Sequence, residues 1–107
     1  MSKISVLIKE PGGKPRHVNI ENTLKNLQRT VGGYIETVSL TSSFGKHLVI
    51  ICNEEGKLLG LEPNVMLFGE LFVGTIIIAG VKDDEFCDLP YGWKDMKLLF
   101  PELWEAE

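Results

Sequence analysis

The sequence predicts an α+β domain: a mostly antiparallel sheet of about five strands, one short helix after the second strand, and a C-terminal helix packed on the sheet. Three observations carry that expectation. Two apolar runs rich in β-branched residues, LVIIC at 48–52 and GTIIIAGV at 74–81, have the composition of strands covered on both faces. Residues 3–9 alternate with the period of a strand, placing Ile4, Val6 and Ile8 on one side and Ser5, Leu7 and Lys9 on the other. Leu24, Leu27 and Val31 recur instead at helical spacing. At 107 residues, 1–107 reads as one globular domain, large enough to bury a core without metal or disulfide support.

The elements follow in order. Glu10-Pro11-Gly12-Gly13-Lys14-Pro15 is a loop, and residues 16–20 resume the alternation through Val18 and Ile20 as the second strand of a hairpin. This loop lacks the Gly-Lys-Ser/Thr ending and the following helix of a phosphate cradle, so it reads as a plain turn. Asn22 or Thr23 caps a helix running to about Val31, with Lys25, Gln28 and Arg29 outward and Gly32 in the left-handed position past its end. Residues 34–40 follow as a strand and 41–46 as a loop. The run 48–52 is the expected centre of the sheet; it stops at Asn53-Glu54-Glu55-Gly56, and 57–61 is expected to pair back on it across a bulged loop. Leu61-Glu62-Pro63-Asn64 reads as a turn, because proline pushes the preceding residue out of helix. Residues 65–73 are apolar but match neither period and receive no assignment. The run 74–81 is the other buried strand, ended by Asp83-Asp84-Glu85. Asp88 then caps the last helix, with Pro90 in its first turn, Leu89, Trp93, Met96 and Phe100 as its apolar stripe, and Pro101 as its end.

Composition removes several function classes. The net charge is −4 and the basic residues form no stripe, so direct nucleic-acid binding is not expected. Cys52 and Cys87 read as reduced structural cysteines; they form no ligand-spaced pair, and His17 and His47 lie far apart, so no metal and no cofactor are expected. The first apolar stretch is too short for a secretion signal, and the most apolar region is broken by Gly69, Glu70 and Gly74, which points to a reducing cytoplasm without membrane contact. Glu54 and Glu55 are adjacent and point apart, while Ser39, Ser42 and Ser43 with His47 lack an acid at a telling spacing. The reading is therefore of a protein that is not an enzyme.

Several stretches together carry a resemblance: Lys-Glu-Pro-Gly at 9–12, Glu-Asn-Thr-Leu-x-x-Leu-Gln at 21–28, Val-Gly-Gly-Tyr-Ile-Glu at 31–36, Ile-Cys-Asn-Glu-Glu-Gly-Lys-Leu-x-Gly-Leu-x-Pro-Asn at 51–64, and Gly-Thr at 74–75. The chain resembles a small domain of unknown function (DUF3846) of Gram-positive bacteria, their phages and their conjugative elements. The similarity runs over nearly the whole chain, including Phe86-Cys87 ahead of a C-terminal helix, and departs from the usual pattern at Asp88-Leu89-Pro90-Tyr91-Gly92-Trp93. It implies a bacterial host cytoplasm and supplies no catalytic residues.

Two function classes follow. The first is a non-enzymatic binding protein of phage or mobile-element type that antagonises host defence, by sequestering a nucleotide-derived signal or by blocking a defence protein. Its ligand-binding candidates are the turns around the central strands: Arg29, Gly32, Gly33, Tyr34, Asn53, Glu54, Gly56, Lys57 and Asn64. Turn chemistry alone also accounts for each of them. The second is an accessory protein-interaction domain of a Gram-positive host with no small-molecule ligand, using Phe68, Leu71, Phe72, Trp93 and Trp104 as contacts. A homodimer formed through an unpaired edge strand serves either class. A small-molecule site predicts a concave cluster of the polar candidates; a protein contact predicts an exposed apolar patch near the C-terminus.

Overall fold

The computed structural model describes residues 2–41 and 47–105. β1 (Lys3–Lys9) and β2 (Arg16–Glu21) form the expected hairpin, paired from Lys3↔Glu21 to Ile8↔Arg16. α1 (Leu24–Val31) follows, and Thr23 is its cap: the hydroxyl accepts from the Asn26 N–H at 3.2 Å. Gly32 ends it in the left-handed conformation, φ 84°, donating its N–H to the Gln28 carbonyl at 2.8 Å. Leu27 and Val31 are buried against the sheet, whereas Leu24 in the first turn stays exposed.

The remaining elements are β3 (Ile35–Thr41), β4 (His47–Asn53), β5 (Pro63–Leu67), β6 (Glu70–Val73), β7 (Ile76–Lys82), β8 (Glu85–Cys87), α2 (Trp93–Leu99) and a 3₁₀ turn, Pro101–Trp104. The sheet has six strands in the order β2-β1-β7-β4-β3, with β8 also on β7, and every pairing is antiparallel. β5 and β6 form a separate hairpin. The two β-branched runs are β4 and β7, two of the three interior strands, which fits their lack of alternation: each has neighbours on both edges and cover on both faces. β7, rather than β4, holds the middle place.

One face of the sheet, with Ile4, Val6, Ile8, Val49, Ile51 and Ile77, packs under Leu27 and Val31 of α1. The opposite face, with Leu7, Leu48, Ile50, Cys52, Ile76 and Ile78, packs under Val65, Leu67 and Phe72 of the hairpin and Met96, Phe100 and Leu103 of the C-terminal segment. The fold is thus the predicted α+β class with helices on the sheet, plus an additional hairpin layer.

Three expectations change, and two stretches gain an assignment. Residues 57–61 do not pair back on β4, because β3 and β7 already occupy its two edges; residues 54–60 form consecutive turns instead. Pro63 and Asn64 open β5 rather than forming a turn. The unassigned 65–73 stretch is the β5–β6 hairpin, closed by Phe68 and Gly69 with φ of 52° and 78°, the signs of a type I′ loop. Asp83 and Asp84, φ 52° and 63°, make a second such loop, so the acidic stretch reverses the chain into β8. The last helix begins at Trp93 and not near Asp88. The Asp88 carboxylate is used elsewhere, accepting the Ser5 N–H at 2.7 Å, while the Leu89 N–H donates to the Ser5 carbonyl at 2.9 Å. Pro101 ends α2 as expected. Residues 42–46 of the predicted loop, including Ser42 and Ser43, lie outside the described residues. No described helix is long and apolar enough to cross a membrane.

Candidate functional site

The antiparallel register gathers the polar candidates at one end of the sheet. Lys9 closes β1 there, Tyr34 precedes β3, Asn53 closes β4, and Gly74-Thr75 leads into β7. Most of these residues are occupied by architecture. Asn53 is 6 % exposed: its Nδ2 donates to the Val31 carbonyl at 3.2 Å and its Oδ1 accepts the Glu55 N–H at 2.8 Å. It therefore joins the end of α1 to the turn after β4. Gly33 is required by this joint, since a Cβ there would lie 2.9 Å from Asn53 Nδ2. Gly56 is buried, and a Cβ would meet Val73 Cγ2 at 2.9 Å. The Glu54 N–H donates to the Tyr34 carbonyl at 2.8 Å, leaving the Tyr34 side chain exposed. Arg29 is exposed in the last turn of α1, where its charge suits the negative end of the helix.

Asn64 makes a second joint. Its Nδ2 donates to the carbonyls of Lys9, at 2.8 Å, and Gly74, at 2.7 Å, and its Oδ1 accepts from Lys9 Nζ at 2.8 Å. Lys9 is 4 % exposed, and burial lowers its pKa. The pair fastens the β5–β6 hairpin to β1.

Two hollows flank this end. The larger, about 560 Å³, opens between Glu10, Gly32, Glu62 and Gly74; its lining includes two glutamates and no cation. The smaller, about 160 Å³, collects Glu36, Glu54 and Glu70 around Lys57 and Cys52. Burial, reinforced by Glu36 and Glu70 and opposed by Lys57, pushes the Cys52 thiol up to about 11. The group is a thiol near neutral pH and its Sγ donates to the Glu36 carbonyl at 3.7 Å, which suits packing rather than nucleophilic attack. Among the described residues no three His, Cys, Asp or Glu side chains are placed to hold a metal.

The edges of the sheet differ. β2 follows Pro15 and carries Arg16, His17 and Glu21, the charges and proline that discourage further pairing. β3 reads IETVSLT, with no lysine, arginine, proline or bulge, and its outer side has no strand partner among the described residues. Because the Tyr34 carbonyl faces β4, the ladder turns the backbone groups of Ile35, Thr37 and Ser39 outward. Beside this edge lies a groove of about 270 Å³ lined by Val38, Leu40, Leu67, Phe68 and Phe72, with Ser39 and Glu70. Glu70 and Phe72 also line the acidic hollow. The two depressions therefore form one trough along β3, acidic where the strand begins and apolar further on.

The predicted contact residues divide. Phe68 is 74 % exposed at the hairpin tip and meets Phe100 edge-to-face at 6.1 Å. Phe72 is 4 % exposed and is a correction: its place inside β6 faces it into the core, and it reaches the surface only as a wall of the trough. Trp93 is exposed on α2, with Lys94 Nζ 5.9 Å from its ring centroid. Trp104 and Leu71 are half-buried. The sequence reading missed Glu36, Val38, Ser39, Leu40, Leu67 and Glu70, which become one surface only when β3 is known to lie at an edge beside the hairpin. The absence of lysine, arginine and proline from β3 was the one available signal.

A family model described as a domain of unknown function, DUF3846, matches residues 3–98. The chain belongs to this family. No curated protein and no solved structure matches it. The match takes in every element that builds the trough of this DUF3846 domain, from β1 through β8 and nearly all of α2.

Proposed function

We propose that this DUF3846 domain is a non-catalytic binding protein that works by gripping another protein, a host defence protein when the gene travels on a phage or mobile element. The observation that carries this reading is the open edge of β3 beside a trough whose far end is apolar. Sequestration of a nucleotide-derived signal is the weaker reading. A phosphate entering either hollow at the loop end would face Glu10 and Glu62, or Glu36, Glu54 and Glu70 with Lys57 alone opposing them.

Thermal unfolding against a panel of cyclic dinucleotides and ADP-ribose derivatives separates the two. A compound held only by the folded state, at a hundred times its dissociation constant, adds about 2.7 kcal/mol. The expected result is no shift with any compound. A shift with one of them would overturn the protein-contact reading in favour of sequestration. Phage plating on defence-bearing Gram-positive cells then tests the role: rescue by the wild-type protein, lost with Glu36→Lys plus Glu70→Lys, is the outcome expected of an anti-defence protein. No rescue, with partner binding intact, would assign the domain to an accessory interaction role in the host.

A further inference from the structure

Resting on that protein-contact reading, we infer that the trough takes an extended segment of the partner as an added strand on β3. The segment carries alternating apolar side chains with a lysine or arginine two positions from one of them. Ile35, Thr37 and Ser39 turn outward N–H and C=O groups that have no strand partner among the described residues, and an extended backbone is the partner that satisfies such a row.

The side-chain pattern follows from the pleat. Glu36, Val38 and Leu40 of β3 face the trough, while the pleat turns the exposed Thr37 and Ser39 side chains to the other face, Ser39 meeting the groove only along the edge of the strand. An added strand drops every second side chain over the same trough, at a spacing of about 6.6 Å. A side chain beside Val38 and Leu40 enters the apolar groove between the strand and Phe68, so it is apolar. The next one along on that face, beside Glu36, meets the end where Glu54 and Glu70 converge with one lysine opposing, so it is basic. Side chains on the opposite face lie beside Thr37 and Ser39, where polar residues suffice. A second copy of β3 fits less well, because it would bring another glutamate and no base.

The test pans a randomised linear peptide library on the full chain. Enriched sequences are expected to alternate apolar and polar residues with a lysine or arginine at the stated spacing. Ser39→Pro removes an outward N–H and no bond to β4, so it is expected to leave the melting temperature unchanged and to weaken the enriched peptide at least about tenfold. Glu36→Lys plus Glu70→Lys is expected to weaken it similarly and to favour its lysine-to-glutamate analogue. If Ser39→Pro fails to fold, N-methylation of alternate peptide amides replaces it: one phase of methylation abolishes binding and the other does not. Binders indifferent to these changes, or protecting amides outside Ile35, Thr37 and Ser39 from exchange, would overturn the strand-addition inference and leave the protein-contact reading standing. A library that yields no binder would count against both. Concentration-dependent dimerisation lost in Ser39→Pro would assign the edge to a second copy and overturn the inference.

Discussion

The two faces of the sheet are covered by different means. α1 is a single continuous cover that fixes its own ends, through the Thr23 hydroxyl and the left-handed Gly32, and lays Leu27 and Val31 on the strands. The opposite cover is assembled from the β5–β6 hairpin, α2 and the 3₁₀ turn, pieces separated along the chain by β7 and β8. Side chains far away in sequence fasten it: Asn64 to Lys9 across 55 positions, and Asp88 to Ser5 across 83. Local signals are enough to specify the first cover. The second exists only once its tertiary bonds are made, and it should be the more sensitive to single substitutions.

The largest expected effect is at Asn64. Asn64→Ala removes hydrogen bonds to two carbonyls and leaves the buried Lys9 ammonium without its side-chain acceptor, at a cost of about 3 kcal/mol in urea unfolding. Adding Lys9→Met should restore part of that loss, because no charge then remains buried. A cost below about 1 kcal/mol would mean that the hairpin is held by apolar packing alone.

Gly80 comes next. The chain after β8 crosses the composite-cover side of β7 so closely that a Cβ on Gly80 would collide with the Asp88 backbone carbonyl and lie 3.1 Å from Cys87 Sγ. Backbone cannot rotate aside as a side chain can. Gly80→Ala should cost about 2–3 kcal/mol by thermal or denaturant unfolding, an overpacking penalty. A neutral outcome would place the strand-to-helix crossing elsewhere.

The same contrast explains what could be read from the sequence. The first hairpin, both buried runs and α1 with its caps were legible because strand alternation, β-branched composition and cap chemistry act over a few residues. The second hairpin was not, since Phe68 occupies a left-handed position where asparagine or glycine is the usual signal. Asp83 and Asp84 do end β7, as an acidic pair reads, but composition gave no sign that both residues are left-handed and fold the chain back into β8. Asp88 looked like a helix cap, while its carboxylate is committed to Ser5. Turn chemistry correctly marked Gly32 to Tyr34 and Asn53 to Gly56 as special, but the structure uses Gly33, Asn53 and Gly56 as joints. The trough depends on β3 lying at the sheet edge and on where the separate β5–β6 hairpin packs, which brings Glu36 and Glu70 to one hollow, and no local periodicity encodes either.

Cys52 gives a pH-dependent handle on the composite-cover face. Its pKa in the folded protein, about 11, stands above the ordinary 9.0, so the folded state holds the proton after the unfolded chain has lost it. The resulting stabilisation is complete below pH 9.0 and disappears as pH rises to about 11. Unfolding measured in parallel for wild type and Cys52→Ala should show the gap between them shrinking by about 2 kcal/mol over that window. Lys9, whose pKa is lowered, changes stability in the opposite sense but is common to both proteins. A gap independent of pH would show that the thiol is not buried beside Glu36 and Glu70.

The smallest effect tests whether the two covers are separate units. Thr23→Ala removes the acceptor of the Asn26 N–H and should cost about 1 kcal/mol. Because α1 depends on its own caps, amide exchange should quicken at Asn26 and Leu27 while the β5–β6 hairpin keeps its protection. Asn64→Ala should show the converse, with the hairpin exchanging faster and α1 unchanged. The joint between Asn53 and the Val31 carbonyl holds α1 to β4 at its far end, so loosening at Thr23 should fade along the helix toward Val31. If Thr23→Ala instead quickens exchange on both faces equally, the sheet transmits the loss and the two covers open as one cooperative unit, whatever the difference in how the sequence specifies them.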